Sequence, residues 1–92
     1  MTGKSVQDLS KLVLCLSDKA TMYGASWCPH CQNQKSLFGN YWNSINYIEC
    51  TEQADKCQAA GVTGYPTWVI NGKNYAGEKT LDELASLAGC EI

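Results

Sequence analysis

Two cysteines three positions apart constrain this chain more than any other feature: Cys28 and Cys31, in Trp27-Cys28-Pro29-His30-Cys31. The short run Thr21-Met22-Tyr23-Gly24 precedes them, and the polar segment Gln32-Asn33-Gln34-Lys35-Ser36, ending in Leu37-Phe38, follows. This order predicts strand, short loop, helix, with Cys28 at the helix start and Cys31 one turn on. Sulfurs so spaced share one helix face, so they can close a small disulfide or stand open as a dithiol. The first backbone N–H groups of a helix have no intrahelical partner, and the helix dipole favours negative charge there. Both effects favour the thiolate of Cys28, the form that attacks disulfides. Pro29 suits a first-turn position, where no N–H is required. His30, when protonated, places a positive charge between the sulfurs and so favours the thiolate and the reduced form. Spacing alone fits a redox pair, a metal knuckle or a structural bridge; the strand–helix setting favours redox chemistry.

Six cysteines in all, Cys15, Cys28, Cys31, Cys50, Cys57 and Cys90, are many for a reducing cytosol. The count points to an oxidising compartment or to a working redox protein. Ninety-two residues, 45% of them hydrophobic, suffice for one modest core, so residues 1–92 are read as a single domain and as a monomer. The formal charge is −2, and all seven basic residues are scattered lysines. This excludes a nucleic-acid groove and a basic membrane-binding face. No apolar run approaches the ~20 residues that span a bilayer, and Met1-Thr2-Gly3-Lys4 does not open a signal peptide. The expectation is a cytoplasmic protein if the chain is complete. Otherwise it is a soluble domain on the oxidising side of a membrane.

Along the chain, Ser5 and Asp8 resemble a capping box, and Val6, Leu9, Leu12, Val13 and Leu16 repeat at helical spacing. Cys15 reads as a small buried apolar residue near the end of that helix. Ala20 to Gly24 is a strand. The second helix runs from Cys28 to about Phe38, with a further turn at Tyr41-Trp42. Ile45 to Cys50 alternates as a strand. Thr51 caps a short helix over about Glu52 to Ala60, stopped by Gly61. Cys50 and Cys57 lie close enough in sequence to pair, and a structural disulfide is expected there. Trp68-Val69-Ile70 is a strand, Asn71-Gly72 a two-residue hairpin turn, and Lys73 to Ala76 its antiparallel return. Thr80 and Glu83 form a capping box for a last helix ended by Gly89. The sum is αβαβαββα: an α/β fold with a mixed four-stranded sheet and helices on both faces.

Three features together resemble the thioredoxin superfamily: the Trp27-to-Cys31 motif after a strand, Gly64-Tyr65-Pro66-Thr67 before the third strand, and the closing ββα unit. The first strand of full-length thioredoxins has no counterpart, so the likeness is to a glutaredoxin-sized version. A narrower likeness joins Tyr23 to Cys31, the strand Tyr47-Ile48-Glu49-Cys50 with Cys57 after it, and Gly64 to Trp68. Those stretches look like the thioredoxin-like domain fused to vitamin K epoxide reductase homologues. The resemblance implies a thiol–disulfide oxidoreductase acting on protein thiols and disulfides, with a membrane quinone-linked or reductase partner. It implies no cofactor beyond the redox-active Cys28–Cys31 disulfide. It makes Cys28 the nucleophile and Cys31 the resolving thiol, and puts a cis proline at Pro66 facing them. Tyr65 would then present its backbone to a substrate, with Trp27 and Pro29 beside it as further substrate contacts.

The chain departs from the family pattern in two places. Met22 stands where thioredoxins carry a buried Asp, so no carboxylate is evident to take the Cys31 proton. Only Gly77 stands near the Gly-Gly pair of glutaredoxins, which argues against glutathione binding. Trp27 and Trp68 read as packing and rim residues, Tyr23 and Tyr47 as core. The rival reading is a zinc or iron–sulfur module using Cys28, Cys31, Cys50 and Cys57.

Overall fold

The computed structural model describes residues 8–91. Helix α1 spans Leu9–Leu16, strand β1 Ala20–Gly24 and helix α2 Pro29–Ser36. A 3-10 helix at Gly39–Ser44 leads to β2 (Asn46–Glu49) and α3 (Ala54–Ala59). The chain closes with β3 (Thr67–Ile70), β4 (Lys73–Ala76) and α4 (Leu81–Ala88). The fold is thioredoxin-like, with a mixed four-stranded sheet in the order β2-β1-β3-β4.

The β1–β2 connection passes through α2, and that pair is parallel, with Met22 opposite Tyr47 and Gly24 opposite Glu49. β1 and β3 are antiparallel, with Met22 opposite Trp68. The β3–β4 hairpin turns on Asn71 and Gly72, at φ 50° and 80°, the left-handed pair that a two-residue turn needs. At α4, both capping-box bonds form: Glu83 N–H to Thr80 Oγ1 at 3.0 Å and Thr80 N–H to Glu83 Oε1 at 2.7 Å. Gly89, at φ 72°, stops the helix.

Two caps differ from the sequence reading. Asp8 is itself the N-cap of α1, its carboxylate accepting from Lys11 N–H at 3.1 Å; Ser5 and Val6 lie outside the described residues. Gln53, not Thr51, stands at the N-cap of α3. The Thr51 hydroxyl donates instead to Glu49 Oε2 at 2.7 Å.

One core gathers Leu12, Val13 and Leu16 of α1, Met22 of β1, Phe38 after α2, Trp68 and Ile70 of β3, and Leu84 and Ala88 of α4. Trp68 is the packing member of its pair, fully buried in the core, whereas Tyr23 and Tyr47 are only half-buried. Cys15 also departs from expectation. It is bridged to Cys90 across a sequence separation of 75 residues and fastens α1 to the chain just beyond α4.

Candidate active site

Cys28 is the N-cap of α2, in extended conformation (φ −81°, ψ 121°), and Pro29 takes the first helical position. The chain thus passes from extended backbone into the helix at Cys28. Cys31 follows within the first turn and is fully buried, whereas Cys28 keeps 6% of its surface. Both are free thiols. Across from them runs the Gly64–Thr67 segment, held by the Thr67 hydroxyl donating to the Gly64 carbonyl at 2.8 Å. The Tyr65–Pro66 peptide is cis. The Cys28 thiol donates to the Tyr65 carbonyl at 3.7 Å, so this backbone faces the sulfur although 37 residues separate the two.

Trp27 is 64% exposed and meets the Tyr65 ring edge-on, with centroids 5.9 Å apart. A groove of about 540 Å³ opens beside them, bordered by His30, Leu37, Tyr65, Pro66 and the Gly77–Thr80 loop. Of the residues singled out from sequence, Trp27, Cys28, Tyr65 and Pro66 thus come together at one rim, with Cys31 behind and Pro29 opening the helix. His30 turns to a different neighbour: its Nδ1 lies 3.1 Å from Glu78 Oε1 on the groove's far loop, and its side chain is largely solvent-exposed.

Burial pushes the Cys31 thiol up to about 11. The Ala25 backbone and the charge of Lys35 pull the other way, and the neighbouring Cys28 adds to the rise. Behind Cys31, the Tyr47 hydroxyl donates to Glu49 Oε1 at 2.6 Å. Burial, and then this bond to a carboxylate, push the Tyr47 phenol up. Burial draws the Glu49 carboxyl upward, but hydrogen bonds from Tyr47, Thr51 and Ser26 outweigh it and hold it below the ordinary carboxylate range. The Ser26 N–H bond to Glu49 Oε2, 3.0 Å, ties the loop before the cysteines to the end of β2.

Gln34, Glu49 and Glu78 were not legible as site residues in the sequence. Gln34 is fully buried. Its Oε1 accepts from Trp68 Nε1–H at 3.0 Å and from Lys79 N–H at 2.7 Å, and its Nε2 donates to the Lys79 carbonyl at 2.8 Å. It pins the groove loop to α2. The available signal was spacing: Gln34 stands three residues after Cys31 and four before Phe38, on the inward stripe of the helix.

Cys50 and Cys57 are joined in a disulfide. That bridge overturns the metal module, because two of its four supposed thiolates are consumed in a sulfur–sulfur bond. Among the described residues no cluster of His, Cys, Asp or Glu is placed to hold a metal ion.

The thioredoxin family model matches residues 6–88. The thiol-disulfide oxidoreductase LTO1 of Arabidopsis thaliana is 43% identical over 82 residues, which cover 79% of this chain and 22% of that protein. A protein disulfide isomerase-like 2-1 of Oryza sativa is 30% identical over 90 residues, covering 80% of this chain and 25% of that protein. The chain thus spans about a quarter or less of the length of these curated relatives. Among solved structures, a thioredoxin from Nicotiana alata superposes with a TM-score of 0.55 at 19% identity, over 94% of this chain and 93% of that one; this likeness is one of fold. With the family model running from before α1 to the end of α4, the chain belongs to the thioredoxin family.

Proposed function

We propose that this chain exchanges disulfides with protein substrates through Cys28 and Cys31. The observation that carries the reading is the placement of Cys28: a free thiol at a helix N-cap, facing the Tyr65 carbonyl, with a second free thiol one turn behind. In the reducing direction the Cys28 thiolate attacks one sulfur of a substrate disulfide. A Cys28–substrate disulfide forms and the other substrate sulfur leaves as a thiolate. Cys31 then attacks Cys28, closes the Cys28–Cys31 bond and releases the second substrate sulfur. Two electrons pass from the protein pair to the substrate. The oxidising direction is the reverse, and couples of this kind span about −270 to about −120 mV.

Trp27, Pro29, Tyr65 and Pro66 form the substrate rim in this reading. The Tyr65 carbonyl offers an extended substrate a strand-like backbone contact, and His30, paired with Glu78, borders the groove beside it. The Cys28–Cys31 disulfide is itself the electron carrier, so no further cofactor is invoked. The narrower likeness, to the domain fused to vitamin K epoxide reductase homologues, points to a quinone-linked membrane protein as electron partner. The bridges Cys15–Cys90 and Cys50–Cys57 support a setting on the oxidising side of a membrane.

The test is insulin reduction with dithiothreitol as electron source. The wild-type protein is expected to accelerate precipitation of the insulin B chain, and Cys28→Ser to reduce that acceleration to background. Full activity in Cys28→Ser would end this reading.

A further inference from the structure

The resolving step requires Cys31 to shed its proton, yet Cys31 is fully buried, and β1, whose Gly24 lies against its sulfur, carries no carboxylate: its inward side chain is the fully buried Met22. The structure offers a cation instead. Lys35 stands four residues after Cys31 in α2, so the two share a helix face. Lys35 is half-buried. Its Nζ lies 4.5 Å from the centroid of the Tyr47 ring and 5.7 Å from that of Trp42, within the range where a ring face attracts an ammonium group. The two rings brace each other edge-on at 5.4 Å. The Tyr47 hydroxyl is in turn fastened to Glu49.

Tyr47 and Cys31 flank the same glycine: a Cβ placed on Gly24 would come within 2.9 Å of Cys31 Sγ and 3.3 Å of Tyr47 Cε1, so sulfur and ring both lie within about one side-chain contact of that position. The ionisable groups around Cys31 are Cys28 and Lys35 on α2 and Tyr47 on β2, with Glu49 bonded behind it. β1 contributes Gly24 and Met22. Of these groups, Lys35 is the cation.

We propose that Lys35, seated on Tyr47 and Trp42, is the fixed positive charge that stabilises the Cys31 thiolate during the resolving step. This role rests on the oxidoreductase reading above. The Cys31 S–H bond breaks and its proton passes to water. The sulfur's electron pair forms the bond to Cys28, the Cys28–substrate bond breaks, and the substrate sulfur leaves with that bond's electrons as a thiolate. Lys35 gives and takes no proton; its charge lowers the cost of the anion. Tyr47 and Trp42 are positioning residues, acting through Lys35. The direction of the charge effect agrees, since Lys35 pulls the Cys31 thiol down against burial.

The experiment is stopped-flow reaction of the protein, its Cys28–Cys31 pair reduced and both other bridges intact, with one equivalent of 5,5′-dithiobis(2-nitrobenzoate) across a pH series. The first thionitrobenzoate released reports attack by Cys28, the second reports attack by Cys31. Lys35→Met keeps the aliphatic stem and removes the charge. It is expected to raise the pH midpoint of the second phase by about one unit, which makes that phase about tenfold slower at neutral pH. Lys35→Arg should restore the midpoint, and Lys35→Gln should repeat the Met result if Met disturbs packing. Either a wild-type midpoint in Lys35→Met and Lys35→Gln, or an Arg variant as slow as Met, would overturn the role of Lys35 and leave the oxidoreductase reading standing. A wild-type protein that releases only one thionitrobenzoate removes that reading, and this role with it.

Discussion

The Cys50–Cys57 bridge lies beside the segment that leads into the Cys28–Cys31 turn: Cys50 N–H donates to the Gly24 carbonyl at 2.8 Å and Ser26 N–H to Glu49 Oε2 at 3.0 Å. Their sulfurs are nevertheless placed for different work. Burial does not separate them: Cys28 is 6% exposed, Cys50 3% and Cys57 4%. Architecture does. Cys50 lies just beyond β2 and Cys57 in the middle of α3, and their bond fastens the one to the other. Cys28 and Cys31 lie in a single turn, so a bond between them fastens little. Beside Cys28 stand an exposed tryptophan and an exposed tyrosine, Tyr65, which also borders an open groove. A thiol in such a place is suited to exchange by the access beside it and the helix end beneath it, more than by its own exposed area.

The comparison can be broken by removing the bridges. Loss of Cys15–Cys90, as the double Cys→Ala protein, frees the longer loop and should cost about 4 kcal/mol in denaturant unfolding. Loss of Cys50–Cys57, a seven-residue separation, should cost about 2–3 kcal/mol. Both proteins should keep Cys28-dependent turnover at temperatures where they remain folded. Turnover lost from a folded Cys50→Ala/Cys57→Ala protein would contradict the division and make the second pair an electron relay.

A comparably sized effect is expected at Gln34. Gln34→Leu leaves the Trp68 indole N–H and both Lys79 backbone groups without their partner, at a cost of about 2–3 kcal/mol. Because the loop bordering the groove is released, substrate KM should rise more than kcat falls. Chemical unfolding and insulin-reduction kinetics read the two effects.

The smallest effect sharpens the comparison through pH. Cys31 titrates near 9.0 when unperturbed and near 11 in the fold. The folded state therefore favours the neutral thiol. Its contribution is complete below about pH 9 and is lost as the pH rises through about 11. Closing the Cys28–Cys31 disulfide removes the titrating group. Across that window the melting temperature of the reduced pair should fall more steeply than that of the oxidised pair, while Cys50–Cys57 stays bridged in both. Parallel curves would remove the burial argument.

Much of this was legible in the sequence because its signals are local. Pro29 after Cys28, Asn71-Gly72, and Thr80 with Glu83 each act within a few residues, and each determines an element's start or turn. The missed features depend on distant chain. Cys15 had no local sign of its partner, because Cys90 is brought to it only when α1 meets the end of α4. Gln34 sat in a polar stretch, and its burial follows from Trp68 and Lys79 arriving over α2. Thr51 offered a cap by composition, but Glu49 took its hydroxyl. Met22 in place of a carboxylate was visible from sequence. The seat of Lys35 was not, since the two rings that hold it come from β2 and the 3-10 helix.

The central claim, that Cys28 attacks and Cys31 resolves, is tested most directly by trapping. Cys31→Ser protein is incubated with a disulfide-bonded protein substrate, quenched with acid and analysed by intact mass and non-reducing peptide mapping. The account predicts a stable mixed disulfide with the substrate sulfur on Cys28, dissolved by dithiothreitol and absent from Cys28→Ser/Cys31→Ser protein. An adduct on any other cysteine, or none while insulin reduction continues, would contradict it.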